Sequence, residues 1–188
     1  MSVKDVIEER RAYRSLEPVE VTDEVVRDLF ESARLAPSCF NNQPWRFVFA
    51  REGSGLTAVK DALSKGNEWA TAASMIVGVA SRPDLDCQIR EREYYLFDSG
   101  MATAFIILRA TELGLVAHPI AGYSERRAKE ALSVPEDMRL ITLVVVGKHS
   151  REVGPLLSAE QAATESARPE RKAVRELAFE GAYHGDDG

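Results

Sequence analysis

The chain has 188 residues, 45% of them hydrophobic and 29% charged, with a formal net charge of −6. That is enough apolar material for one cored domain, expected over residues 1–180 with a disordered tail at 181–188, and its acidic balance argues against a nucleic-acid partner, which would need a basic face. The charged N-terminus lacks the apolar core of a signal peptide, the longest apolar stretch (70–80) is too short to cross a bilayer, and two cysteines are too few for a disulfide framework, so the cytoplasm is the natural reading and no membrane partner is expected.

Val3, Val6 and Ile7 pattern a first helix at about 2–11. It ends in Arg10, Arg11 and Arg14, of which Arg10 and Arg14 share a face if the helix persists that far. Thr22 suits the N-cap of a second helix, with Asp23 and Glu24 opposing the dipole in its first turn. Val25, Val26, Leu29, Phe30 and Ala33 form its apolar stripe, and Pro37 lies just beyond its end. A strand is expected at about 45–51, a short helix at 56–63 and a buried strand at 74–81. Residues 84–95 turn polar, with Arg90, Glu91, Arg92 and Glu93 in a row, as in a solvated helix or a mobile cover. A long apolar helix is expected from Gly100 to about Leu113, closed by Gly114. Further along come a short strand at 115–120, a helix at 125–132 and a β-branched strand at 140–148. Loop or irregular helix fits 154–167, and helix fits 168–179. The uneven alternation predicts an α+β domain with helices on both faces of one sheet.

The segment Ala36-Pro37-Ser38-Cys39-Phe40-Asn41-Asn42-Gln43-Pro44-Trp45 holds the densest chemistry. Three side-chain amides offer both donors and acceptors between two prolines that restrict the backbone. A heteroaromatic ligand with alternating carbonyls and ring N–H groups needs that set, although Asn, Ser and Pro are also ordinary turn residues. Planar guanidinium groups at Arg10, Arg11 and Arg14 suit a phosphate, or simply a solvated helix end. No G-x-G-x-x-G fingerprint, P-loop, G-x-S-x-G elbow or C-x-x-C is present, and His118, His149 and His184 have no metal-ligand spacing.

Taken in order, Arg10-Arg11-Ala12-Tyr13-Arg14, the Ala36-to-Trp45 segment, Leu113-Gly114-Leu115, Pro119-Ile120-Ala121-Gly122-Tyr123, Leu143-Val144-Val145-Val146-Gly147 and Arg168-Pro169 resemble the nitroreductase family of FMN-dependent oxidoreductases. The resemblance spans residues 2 to about 178. It implies a central mixed β-sheet flanked by helices and an intertwined homodimer, with FMN held between the two chains. Arg10 and Arg11 match positions that hold the phosphate and the ring's polar edge. Arg14 matches a basic position at the N1/O2 end of the ring, and Ala12 stands where serine is common. Pro37, Ser38, Cys39, Asn41 and Gln43 match the segment that reaches the flavin from the partner. Cys39 replaces a frequent serine and reads as a small buried thiol rather than a nucleophile, since no histidine pattern accompanies it. Trp45 reads as core.

Pro119, Ile120, Ala121 and Gly122 match the loop over the other face of the ring, where a backbone N–H donates to N5. Ala121 stands where glutamate is frequent. His118 either faces the ring or packs. Arg168 matches a phosphate-pairing arginine, and Asn67 an asparagine at the O2/N3 edge. The implied activity is NAD(P)H oxidation by ping-pong through flavin N5 to a small electron-poor acceptor such as a nitroaromatic or quinone, with no protein acid or base required. A reductive dehalogenase or flavin-fragmenting enzyme of the same fold, turning on the cover segment 84–97, and a non-catalytic FMN-binding protein are the alternatives.

Overall fold

Local chemistry sets the first elements of the structure, a computed structural model that describes residues 2–183. Helix α1 (Val3–Glu9) begins at a capping box in which Ser2 and Asp5 satisfy each other's backbone N–H groups. It stops at Glu9, so Arg10 and Arg14 lie on extended chain and not on one helical face. Strand β1 (Leu16–Glu17) follows, then α2 (Asp23–Arg34), capped by the Thr22 side chain. Next come β2 (Arg46–Ala50), α3 (Gly53–Lys60) and β3 (Met75–Ser81). A hairpin of β4 (Gln88–Ile89) and β5 (Arg92–Glu93) leads directly into α4 (Tyr94–Glu112). Strand β6 (Val116–Ile120), helix α5 (Glu125–Leu132), strand β7 (Arg139–His149) and helix α6 (Ala159–Ser166) complete the order.

The sheet is antiparallel at every pairing, which corrects the mixed sheet implied by the family resemblance. The eleven-residue β7 is its spine. β3 pairs along one edge of β7 and β6 along the other, β2 extends the sheet beyond β3, and β1 adds two residues at the C-terminal end of β7.

Successive strand residues face opposite sides, and here both sides are covered. Met75, Val77 and Val79 of β3 with Val144 and Val146 of β7 pack under α2 and α4, against Leu29, Ala33, Ala102 and Ile106. Ile76 and Ala80 with Leu143 and Val145 pack under α3 and α5, against Leu56, Val59, Ala128 and Leu132. That double burial is why both strands read as unbroken apolar runs. Gly78 sits where α5 presses closest: a Cβ there would lie 2.6 Å from Leu132 Cδ1. Trp45 is core, as expected. Among the described residues, no helix is long and apolar enough to cross a membrane.

Three sequence expectations are corrected by packing. Helix α4 begins six residues before Gly100, because Tyr95, Asp98 and Ser99 are buried and form its first turns. The polar run before it is therefore partly hairpin and partly helix. Residues 168–179 are not a helix; they carry only a 3₁₀ turn at Val174–Glu176. Val174 and Leu177 stay exposed there, and a short helix without a surface to pack on lacks its main source of stability. Of the expected tail, Gly181 and Ala182 form a bend, Tyr183 is exposed and irregular, and 184–188 lie outside the described residues.

Candidate functional site

The arginines converge although the chain brings them from opposite ends. Arg10, Arg11, Ala12 and Arg14 line a cavity of about 250 Å³ together with Thr164, Arg168, Pro169 and Arg171. Helix α6 makes the junction. Arg11 donates to the Thr164 carbonyl at 2.6 Å, and Arg14 donates to Thr164 Oγ1 at 3.2 Å. The buried Glu165 carboxylate accepts the N–H groups of Arg14 at 2.9 Å and Ser15 at 3.0 Å. Arg168 donates to the carbonyls of Glu8 and Arg10. Among the described residues, Arg10, Arg11, Arg14 and Arg168 make no ion pair with a carboxylate. Burial pushes the Arg10 guanidinium below its usual pKa, and Arg168, Arg171 and Arg11 push it the same way. Like charges gathered with no ion-paired carboxylate suit an anion, and the fork geometry of guanidinium suits a phosphate.

A second group adjoins the cradle. Arg14 lies 5.9 Å over the Trp69 ring, which sits tilted against His118 with centroids 4.8 Å apart. His118 packs inside rather than facing out: it is buried and its Nδ1 sits 3.1 Å from the Tyr13 carbonyl. A carbonyl only accepts, so Nδ1 carries the proton. Burial holds the His118 pKa down at about 4; the Tyr13 bond opposes this and Arg14 adds to it.

Beyond His118, Pro119 and Ala121 are exposed, whereas the Ile120 side chain enters the core and its carbonyl accepts the Thr142 hydroxyl at 2.9 Å. Gly122 accepts from Ser64 N–H at 3.0 Å and from Asn67 Nδ2 at 3.1 Å. A Cβ on Gly122 would lie 2.0 Å from that Asn67 nitrogen, so any larger residue must push the amide off its carbonyl. The N–H groups of Ala121 and Gly122 have no partner among the described residues.

The amide loop is built elsewhere. Residues Cys39–Asn41 make a 3₁₀ turn, and Phe40, Asn41 and Gln43 hold positive φ of 47°, 59° and 50°. Non-glycine residues in that region store strain, and such strain clusters at functional sites. The Ser38 hydroxyl accepts the Gln43 N–H at 3.0 Å, and Gln43 Nε2 donates to the Asn41 carbonyl at 3.1 Å. Pro37 and Phe40 point to solvent. Cys39 is neither buried nor a free thiol: it is half-exposed and disulfide-bonded to Cys87, with Cα atoms 6.0 Å apart. Among the described residues, no hydrogen bond or ion pair joins this loop to the arginine cradle within one chain.

The structure thus joins Arg10, Arg11, Ala12, Arg14 and Arg168 in one cavity, sets Asn67 against Gly122 beside it, and leaves residues 37–43 apart. Thr164, Glu165 and Arg171 went unnoticed in the sequence. Glu165 lies about 150 positions from the backbone it serves, and no local pattern marks it.

Comparison with known proteins supplies the family. The nitroreductase family pattern matches residues 7–74 and 60–148, and the chain belongs to that family. It is 32% identical to an uncharacterized 15.4 kDa protein of Mycolicibacterium smegmatis, over 73% of this chain and 97% of that one. An Archaeoglobus fulgidus protein designated a candidate NADH dehydrogenase/NAD(P)H nitroreductase is 30% identical over 73% of this chain and 80% of its own. Among solved structures, an oxidoreductase containing FMN superposes with a TM-score of 0.84 at 27% identity, over 98% of this chain and 94% of that one. A nitroreductase family protein of Clostridium novyi NT shares the fold, with a TM-score of 0.74 at 24% identity over 80% of this chain and 87% of that one.

Proposed function

We propose that this chain is an FMN-dependent oxidoreductase that takes reducing equivalents from NAD(P)H and passes them to a small electron-poor acceptor, such as a nitroaromatic or a quinone. The observation that carries the reading is the arginine cavity, whose guanidinium groups, none of them ion-paired, match the doubly charged phosphate of a flavin mononucleotide. FMN bound there supplies the redox chemistry, accepting electrons from the nicotinamide and yielding them to the acceptor in alternating half-reactions.

The chain's residues bind and orient. Arg10, Arg11 and Arg168 hold the phosphate, and Arg14 places a permanent positive charge toward the pyrimidine end of the ring, where reduction leaves negative charge. Asn67 offers its amide to the ring edge. Ala121 and Gly122 present unpaired N–H groups from the wall next to His118, and Pro119 and Ile120 hold that wall in place. Because Pro37, Ser38, Cys39, Asn41 and Gln43 stand away from the cradle of their own chain, the amide loop serves a second copy. The unit of function is then a homodimer with two composite sites.

Stopped-flow absorbance tests the reading. The FMN-loaded protein should lose its visible flavin band on mixing with NADH or NADPH and regain it on adding a quinone. A protein that takes up no FMN, or holds FMN that neither nicotinamide bleaches, overturns it. Co-purified dimers of one Arg10→Ala chain and one Asn41→Ala/Gln43→Ala chain should retain one intact site, whereas each variant alone retains none.

A further inference from the structure

The Cys39–Cys87 bond lies among groups that a plain cross-link does not need. Both cysteines are half-buried rather than sealed in the core. Asp98, only 2% exposed in the first turns of α4, accepts the Cys39 N–H at 2.7 Å. Asp86, 8% exposed, accepts the Cys87 N–H at 2.8 Å and the Asn42 amide at 3.3 Å through Oδ1, while its Oδ2 is buried with no partner. The same Asn42 amide points its nitrogen at Cys87 Sγ, 3.6 Å away.

Two carboxyl groups facing each other in a buried site are costly, and an orphaned oxygen adds to the cost. Burial pushes the Asp98 carboxyl above its ordinary pKa; the Cys39 N–H draws it back and the facing Asp86 raises it again. Asp98 therefore holds a proton more readily than an ordinary carboxyl does. A sulfur that alternates between bonded and free states needs a proton source and an N–H donor for its thiolate, and both are in place.

We propose that Cys39 and Cys87 form a redox-active pair that exchanges with an external dithiol, with Asp86 and Asp98 as its proton store. A thiolate of the dithiol attacks Cys39 Sγ, forming a mixed disulfide as the Cys39–Cys87 bond breaks. Cys87 leaves as the thiolate that Asn42 stabilises and takes a proton from the carboxyl pair. The second thiolate of the dithiol attacks its own sulfur in the mixed disulfide and releases Cys39, which is protonated in turn. The dithiol is oxidised to a disulfide, the protein gains two electrons, and the two protons shed by the dithiol end on the two cysteines, the carboxyl pair being recharged. Opening the bond unties the amide loop from the 84–93 hairpin. The couple needs only this chain's own groups and does not rest on the flavin reading.

The full-length protein, equilibrated in buffers of reduced and oxidised dithiothreitol and then alkylated, gives the answer by intact mass. The expected result is a reversible change between no labelled thiol and two, with unchanged circular dichroism. Cys39→Ser and Cys87→Ser should label once at every ratio, and limited proteolysis should cut the 84–93 hairpin faster in the reduced form. Asp98→Asn and Asn42→Ala should each slow reduction roughly tenfold or more at pH 7, as loss of a proton donor or thiolate partner does. Two labelled thiols under fully oxidising conditions overturn the proposal. So does a bond that opens only when the protein unfolds, stoichiometric zinc that holds the reduced thiols against oxidation, or folded Asp98→Asn and Asn42→Ala variants that both exchange at the wild-type rate. No readout involves FMN or NAD(P)H, so failure here leaves the oxidoreductase reading intact.

Discussion

The arginine cradle and the amide loop solve opposite problems. The cradle gathers charge from distant parts of the chain and fixes it by many backbone bonds, among them the two N–H groups that Glu165 accepts and the carbonyls that Arg168 caps. Its side chains are held in place before any ligand arrives. The loop draws on neighbouring residues and holds itself by strain, with three positive-φ residues pinned by one hydroxyl, one amide and a disulfide. A charge cluster needs a scaffold that resists repulsion. A hydrogen-bonding loop needs only a fixed shape, and a short segment can supply that.

If the cradle is the phosphate site, its loss should dominate. Arg10→Ala with Arg168→Ala should weaken FMN binding by roughly 100-fold or more, since each charge-assisted bond is worth about 1.5–3 kcal/mol. Binding of riboflavin, which lacks the phosphate, should hardly change; fluorescence titration of both ligands separates the two cases.

A pH series probes the wall between the two regions. His118 is neutral in the fold at a pKa of about 4 and takes up a proton in the unfolded chain near 6.5. The folded pKa is the lower one, so stability should be level above pH 6.5 and fall as pH drops. The full loss, about 3 kcal/mol, is reached below pH 4. Melting temperatures of wild type and His118→Gln measured down that range should converge if the histidine is responsible.

Gly122→Ala should cost about 1–3 kcal/mol from the clash with Asn67, recovered in part by adding Asn67→Ala. Calorimetry reads both, and an unshifted Gly122→Ala protein would mean the contact is loose. The smallest effect belongs to the loop. Ser38→Ala removes the acceptor of the Gln43 N–H and should cost about 1 kcal/mol, with a modest loss of flavin affinity by titration. A larger loss than that of the cradle variant would reverse the ranking of the two regions.

Much of this was legible in the sequence where the signal is local. Periodicity placed α2, α5, β3 and β7 within a residue or two, and the density of amides marked the 37–43 loop. The rest depended on contacts that no short window contains. The start of α4 is set by the burial of Tyr95 and Asp98, and the absence of a helix at 168–179 by the lack of a surface for Val174 and Leu177 to pack on. The Cys39–Cys87 bond spans 48 positions, and two cysteines alone do not announce a partnership. The arginines were visible one by one, but the Thr164–Glu165 junction that makes them a cavity was not.

That junction ties the two ends of the chain together. The family pattern ends at residue 148, one position short of the end of the spine strand, whereas Glu165 and Arg168 lie beyond it. The matched portion carries Arg10, Arg11 and Arg14, whereas Arg168, Arg171 and the Glu165 carboxylate that accepts the Arg14 and Ser15 N–H groups lie beyond it. Truncation after His149 should therefore leave every strand pairing in place while removing the carboxylate that fixes the Arg14 and Ser15 backbone.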